Sequence, residues 1–299
     1  MPMPIDSGFP LPDPPPYADS GQDEVLASGM PLPIGQVVSD AFGMFFKNLP
    51  SYSGIIIVVY LPLIIWTIYL HFNAADLVES QFMSEEGLQR FVLVTLATAG
   101  LSLLFQPLAT GAIIFAVFRA KKGESASFGR ALAVAFSRIL PLIGVALATG
   151  LLMGLAVGVP VFLGAMFSAA GGFGALLGML LVVAGLVVGV RLFCGLYVAS
   201  PAVVVERVGV NESIRRSFNL TRGSRWRVFG VILLVGVAQF IVELIVGVVA
   251  EEGPGLGLVF ELISMIAFAA ITAVASASCY FYLKVREGAD MDELASVFD

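Results

Sequence analysis

The residues best placed to do chemistry are the few polar ones embedded in long apolar runs. Arg191, within LVVGVRLFCGLY, stands near the middle of such a run, where a guanidinium costs about 3 kcal/mol on insertion scales unless it is paired or hydrated. Gln239 and Glu243 are four residues apart and so share one helical face. With Glu261, and with Gln106 beside Pro107, they are the expected partners of Arg191. Such a cluster has two readings. One is a relay or path for a proton, solute or anion; the other is a buried ion pair that fixes helix register, or an arginine snorkelling to the interface. The sequence leaves both open.

Catalytic chemistry is not expected. No Ser-His-Asp set, zinc-type spacing, P-loop or dinucleotide fingerprint occurs in the chain. Glu243 and Glu261, the acids inside apolar runs, have no His or Cys beside them to complete a site. Cys194 and Cys279 lie inside apolar runs, where a thiol behaves as a small hydrophobe. The single histidine, His71, ends an apolar run near Trp66 and Tyr69 and reads as part of an interfacial aromatic belt. The chain is therefore expected to be no enzyme, with no catalytic residue, metal or cofactor.

The elements that must carry these residues follow from composition. Of 299 residues, 58% are hydrophobic and 13% charged, far from the roughly 25% charged of soluble domains. That composition points to an all-α polytopic membrane protein. A bilayer core about 30 Å thick needs about 20 apolar residues per helix, and six stretches qualify: about 53–72, 91–118, 139–167, 175–204, 228–250 and 256–282. Pro107 is expected to kink the second. The membrane domain is thus 34–286. Before it, 1–33 holds nine of the sixteen prolines and reads as a disordered tail; after it, 287–299 is a short acidic tail.

Charge placement orients the chain. Fourteen of the sixteen Lys and Arg flank the ends that an arrangement with both termini inside assigns to the cytoplasm; Arg90 lies outside and Arg191 within a span. The outer connections carry Asp76, Glu79, Glu85, Glu86, Glu251 and Glu252. Tyr280 and Tyr282 read as an inner aromatic belt. The formal net charge of −6 gives no reason to expect nucleic acid. The stretch from Glu206 to Arg227 is basic, with Arg215, Arg216 and Arg222 preceding Trp226. It is expected to face anionic lipid headgroups on the cytoplasmic side, where each cation contributes about 1 kcal/mol.

A repeat organises the rest. Ile34, Val37, Val38, Ala41, Phe42 and Phe45 have the same helical spacing as Phe128, Ala131, Leu132, Ala135, Phe136 and Ile139. A shorter version, Val210, Ile214 and Phe218, precedes span five. The chain reads as three hairpins, each introduced by an amphipathic interfacial helix. Gly150, Gly154 and Gly158, and Gly185 and Gly189, fall at GxxxG spacing, which lets backbones approach within a subunit or between copies in a homo-oligomer.

The run SPAVVVERVGVNESIRRSFNLTRGSRWRVFGVILL resembles a bacterial inner-membrane family that includes YciC-type proteins and the membrane domain fused to some glycerophosphodiester phosphodiesterases. The pattern is carried by Pro201, Val203, Val204, Val205, Glu206, Gly209, Val210, Arg216, Ser217, Leu220, Thr221, Gly223 and Trp226. IGQVVSDAFGMFFKN and FRAKKGESASFGRAL look similar to that family too, extending the resemblance over about 34–286. It implies a six-helix inner-membrane protein with no agreed activity, whose phosphodiesterase relatives keep catalysis in a separate soluble domain. The short tails here lead to the expectation that this domain is absent.

Overall fold

The computed structural model describes residues 32–73, 85–124, 127–169 and 171–287. The proline-rich stretch up to residue 31, the acidic stretch from 288 onwards, and Asp76 and Glu79 lie outside the described residues. Among those described, all regular structure is helical. In chain order the helices are α1 (Ile34–Lys47), α2 (Leu49–Phe72), α3 (Glu85–Lys121), α4 (Phe128–Ser137), α5 (Ile139–Met153), α6 (Val159–Ala169), α7 (Phe173–Leu196), α8 (Ala199–Val205), α9 (Val210–Leu220), α10 (Arg225–Glu252) and α11 (Pro254–Arg286). Six segments are long and apolar enough to cross a membrane: Leu49–Phe72, Glu85–Lys121, Ile139–Ala169, Phe173–Val205, Arg225–Glu251 and Gly255–Arg286. The second begins six residues before the expected start and takes in Glu85, Glu86 and Arg90. At 37 residues α3 is about 55 Å long, more than the hydrocarbon thickness, so it tilts or protrudes. It continues as one helix through Pro107.

The third segment contains a π-helical turn, Gly154–Gly158, between α5 and α6. Pro160 accounts for it. Proline cannot donate to the carbonyl four residues back, and its ring crowds that carbonyl, which here belongs to Ala156.

The core lies at one end. On α3, residues Leu108–Phe118 are almost continuously buried; Cys194–Val205 and Ala270–Leu283 contribute most of the remainder. These three stretches are the Lys121, Glu206 and Arg286 ends of the second, fourth and sixth segments. They are rich in small residues, including Ala109, Gly111, Ala112, Ala116, Ala199, Ala202, Ala273 and Ala277. Lipid tails solvate apolar side chains as well as another helix does, so helices condense where small residues allow close backbone approach. The opposite halves carry large exposed aliphatic and aromatic side chains, among them Leu93, Leu96, Leu180, Val187, Leu256 and Ile263.

The short helices bind this core cyclically. Helix α1 packs on α10 and α11, α4 packs on α3, and α9 packs on α5, α7 and α8. Each therefore docks on a pair other than the one that follows it. Their buried faces are Val37, Ala41 and Phe45 on α1, Ala131 and Ala135 on α4, and Ser213, Ser217 and Leu220 on α9.

The glycines divide sharply. A Cβ at Gly150, Gly154 or Gly158 would meet nothing within 4 Å, so this column makes no close contact among the described residues. Gly185 faces Pro160, and Gly189 faces Val157, each too closely for a side chain. The tightest backbone contact joins Gly164 on α6 to Gly178 on α7, where a Cβ on Gly178 would stand 2.3 Å from the Gly164 carbonyl oxygen.

Candidate functional site

The polar groups that the fold brings together lie at the condensed end. Helix α8 stops at Val205, and Glu206 caps it with its backbone N–H donating to the Ala202 carbonyl at 2.9 Å. Arg207 then takes φ 55°, a left-handed conformation uncommon outside glycine, and turns the chain into α9. The Arg138 guanidinium donates to the Arg207 carbonyl at 3.4 Å.

One oxygen of Glu206, Oε1, accepts three donors: Arg216 Nε at 3.1 Å, Lys284 Nζ at 2.8 Å and Tyr280 Oη at 2.7 Å. Arg216 also reaches Glu287 at 2.8 Å. Burial alone would raise the Glu206 pKa. The hydrogen bonds from Lys284, Tyr280 and Arg216, with the Lys284 charge, outweigh it and hold the carboxyl below its ordinary value.

A second network lies beside the first. Asp40 Oδ2 on α1 accepts from Lys121 Nζ at 3.3 Å and from Tyr282 Oη at 2.9 Å. Lys121 lies 4.5 Å from the centroid of the Phe281 ring, within cation–π range. Alternate residues at the end of α11 thus serve different partners: Tyr280 is tied to Glu206, Tyr282 to Asp40. Both tyrosines are buried, which corrects their expected place in a lipid-facing belt. A hydroxyl on an interior face is satisfied by a carboxylate, whereas a belt tyrosine turns its ring to the headgroups.

The family-like stretch splits into an interior and an exterior set. Ser217 and Thr221 are fully buried. Ser217 Oγ donates to the Gly195 carbonyl at 2.7 Å, and Thr221 Oγ1 donates to the Ser217 carbonyl at 2.8 Å. Gly195 is required there, since a Cβ would fall 2.5 Å from the Phe218 ring. Arg286 donates to the buried Ser224 hydroxyl. Pro201 and Leu220 fill the core. Arg215 and Arg222 are exposed, as is Gly223, whose φ of 84° makes the turn before α10. Trp226 is 82% exposed.

The expected intramembrane cluster does not assemble. Arg191 is exposed and has no hydrogen bond or ion pair among the described residues. Gln239 donates to Glu243 at 2.7 Å, a contact within α10 alone. Gln106 and Glu261 line one cavity with residues of α2, apart from the other three. The physical reason is rotational. A helix apolar all round gives no stripe to say which face turns inward, and Arg191 takes the side of α7 opposite the buried Gly185 and Gly189 face.

Asp40, Lys121, Tyr280, Tyr282, Lys284 and Glu287 are site residues that spacing did not single out. A weak signal exists: Asp40 is the one acidic residue of an amphipathic helix, and the tyrosines end a span beside Lys284. Chemically, the site is a polar clamp joining α1, α3, the end of α8, α9 and α11, rimmed by exposed cations and one exposed indole. Among the described residues no group of three or more His, Cys, Asp or Glu could hold a metal ion.

Residues 132–285 match the family described as membrane domain of glycerophosphoryl diester phosphodiesterase. The matched segment includes α8, α9 and all of α11 but its last residue, and with them the Glu206 clamp apart from Glu287. No curated protein and no solved structure matches the chain.

Proposed function

Since the chain belongs to the family of glycerophosphoryl diester phosphodiesterase membrane domains, we propose that it acts in the membrane as a nonenzymatic lipid-associating component whose basic end binds anionic headgroups. It is an integral, multi-pass membrane protein; the lipid role and the cytoplasmic placement of the basic end are the proposal. The supporting observation is the division of labour within the matched segment. Arg216 is consumed by Glu206 and Glu287, while Arg215, Arg222 and Trp226 stand exposed on the same stretch. Cations that could have been paired internally are left facing outward beside an indole, the composition of a headgroup-binding rim. In this reading the basic end is cytoplasmic, because basic residues are retained on that side during insertion.

The test is lipid retention. Protein purified in mild detergent and doped with equal phosphatidylglycerol and phosphatidylcholine is expected to retain the anionic lipid preferentially in native mass spectrometry. Arg215→Gln with Arg222→Gln should remove about 2 kcal/mol of that preference, at about 1 kcal/mol for each charge. Equal retention of the two lipids by the unaltered protein refutes the proposal.

A further inference from the structure

A half-open cavity of about 510 Å³ lies between α2, α3 and α11, toward the end of the bundle opposite the basic clamp. Its volume falls in the range of small-molecule sites. One wall is fixed in place: Trp66 Nε1 donates to Thr98 Oγ1 at 2.8 Å, and Thr98 Oγ1 donates onward to the Val94 carbonyl at 2.8 Å. The indole therefore cannot swing without breaking a two-bond chain.

The remaining polar lining is unspent. Thr67, His71, Ser102, Gln106 and Glu261 also line this space, Gln106 and Glu261 exposed and the other three half-buried, and among the described residues none of their side chains has a hydrogen-bond or ion-pair partner. At membrane depth such groups are costly unless something polar meets them. The charge is one-sided: Glu261 supplies a carboxylate, and among the described residues no Lys or Arg lines the space. An anion, and hence a phosphate headgroup, is disfavoured there. A bare metal ion is also a poor fit, because the cavity is large and offers a single carboxylate against the several oxygen ligands such ions take. Tyr60 and Trp66 contribute aromatic surface, and Leu63, Leu70 and Met265 contribute apolar surface. Aromatic faces beside a carboxylate are the recognition chemistry of ammonium groups.

We propose that this cavity is a binding site for an amphiphilic organic cation, with Glu261 as its counter-charge, Trp66 and Tyr60 as its aromatic walls, and Gln106 and Ser102 as further polar contacts. The site lies away from the basic end, so it stands or falls independently of the lipid proposal.

The chain has two tryptophans, Trp66 and Trp226. Trp226→Phe leaves Trp66 as the sole emitter, in the wall of the cavity. This protein, in phosphatidylcholine nanodiscs at neutral pH, is titrated with benzyltriethylammonium, benzyl alcohol and benzenesulfonate. The expected result is a saturable change in Trp66 emission for the cation, at an affinity roughly tenfold or more above the neutral and anionic probes. Adding Glu261→Gln should weaken the cation about tenfold, while Glu243→Gln, on α10 and outside the cavity, leaves it unchanged. Equal responses to the three probes overturn the proposal, as does a cation affinity that Glu261→Gln does not alter. If Glu261→Gln fails to fold, the ranking of the three probes on the Trp226→Phe protein decides alone.

Discussion

At the end of the bundle that carries Lys121, Glu206 and Lys284, the second, fourth and sixth segments bury almost every side chain; at the other end the same helices expose Leu93, Leu180 and Leu256. The difference follows from residue size and polarity. Alanine and glycine let backbones approach, and carboxylates bridge what has approached, whereas long aliphatic side chains gain as much from lipid as from protein. The condensed end is thus held by packing plus ion pairs. The open end is held by the backbone contact of Gly164 with Gly178 and by the Trp66–Thr98 bond.

This contrast can be broken most forcefully at Glu206. Glu206→Ala removes the common acceptor of Arg216, Lys284 and Tyr280, leaving Arg216 only Glu287 and taking from Lys284 and Tyr280 their carboxylate partner in a half-buried setting. A loss of about 3 kcal/mol is expected, within the range for removing one partner of a buried pair, read as a lower melting temperature of the detergent-purified protein. A change of a few tenths of a kcal/mol would mean the clamp contributes little.

A smaller effect is expected with pH. Because the folded state holds the Glu206 carboxyl below its ordinary 4.5, its contribution is complete above that value and is lost as pH falls through the lower folded value. Melting curves of the unaltered protein should therefore decline more steeply on acidification than those of Glu206→Gln, which has no carboxyl to protonate. Parallel curves would argue that the carboxylate is not preferentially stabilised by folding.

The smallest effect is expected at Arg191. It is exposed and unpaired among the described residues, so Arg191→Ala should change stability by no more than about 0.5 kcal/mol. A loss comparable to that of Glu206→Ala would show that the Arg191 face of α7 is buried against a partner.

The six spans were legible because a bilayer imposes a length and a composition that any apolar run reveals. The glycine columns show where legibility stops. Gly185 and Gly189 meet Pro160 and Val157, while Gly150, Gly154 and Gly158, with the same spacing, meet nothing within 4 Å. Spacing identifies a smooth face but does not say whether another helix comes to it. Arg191 illustrates the same limit, since its rotation is set by docking rather than by local pattern. Of the clamp, Glu206, Arg216, Ser217 and Thr221 were marked by family-like residues. Tyr280 and Lys284 were not, because they are more than 70 positions from Glu206 in the chain and only the meeting of α8 with α11 makes them partners.

The most direct test of the condensed end is a double-mutant cycle on Glu206 and Lys284, whose side chains meet at 2.8 Å. Unfolding free energies of Glu206→Ala, Lys284→Ala and the double variant are predicted to give a coupling of at least about 1 kcal/mol, as expected for residues in contact within one ion-pair network. Strict additivity would contradict the account, because it would mean that the two ends of the bundle do not differ in how they are held.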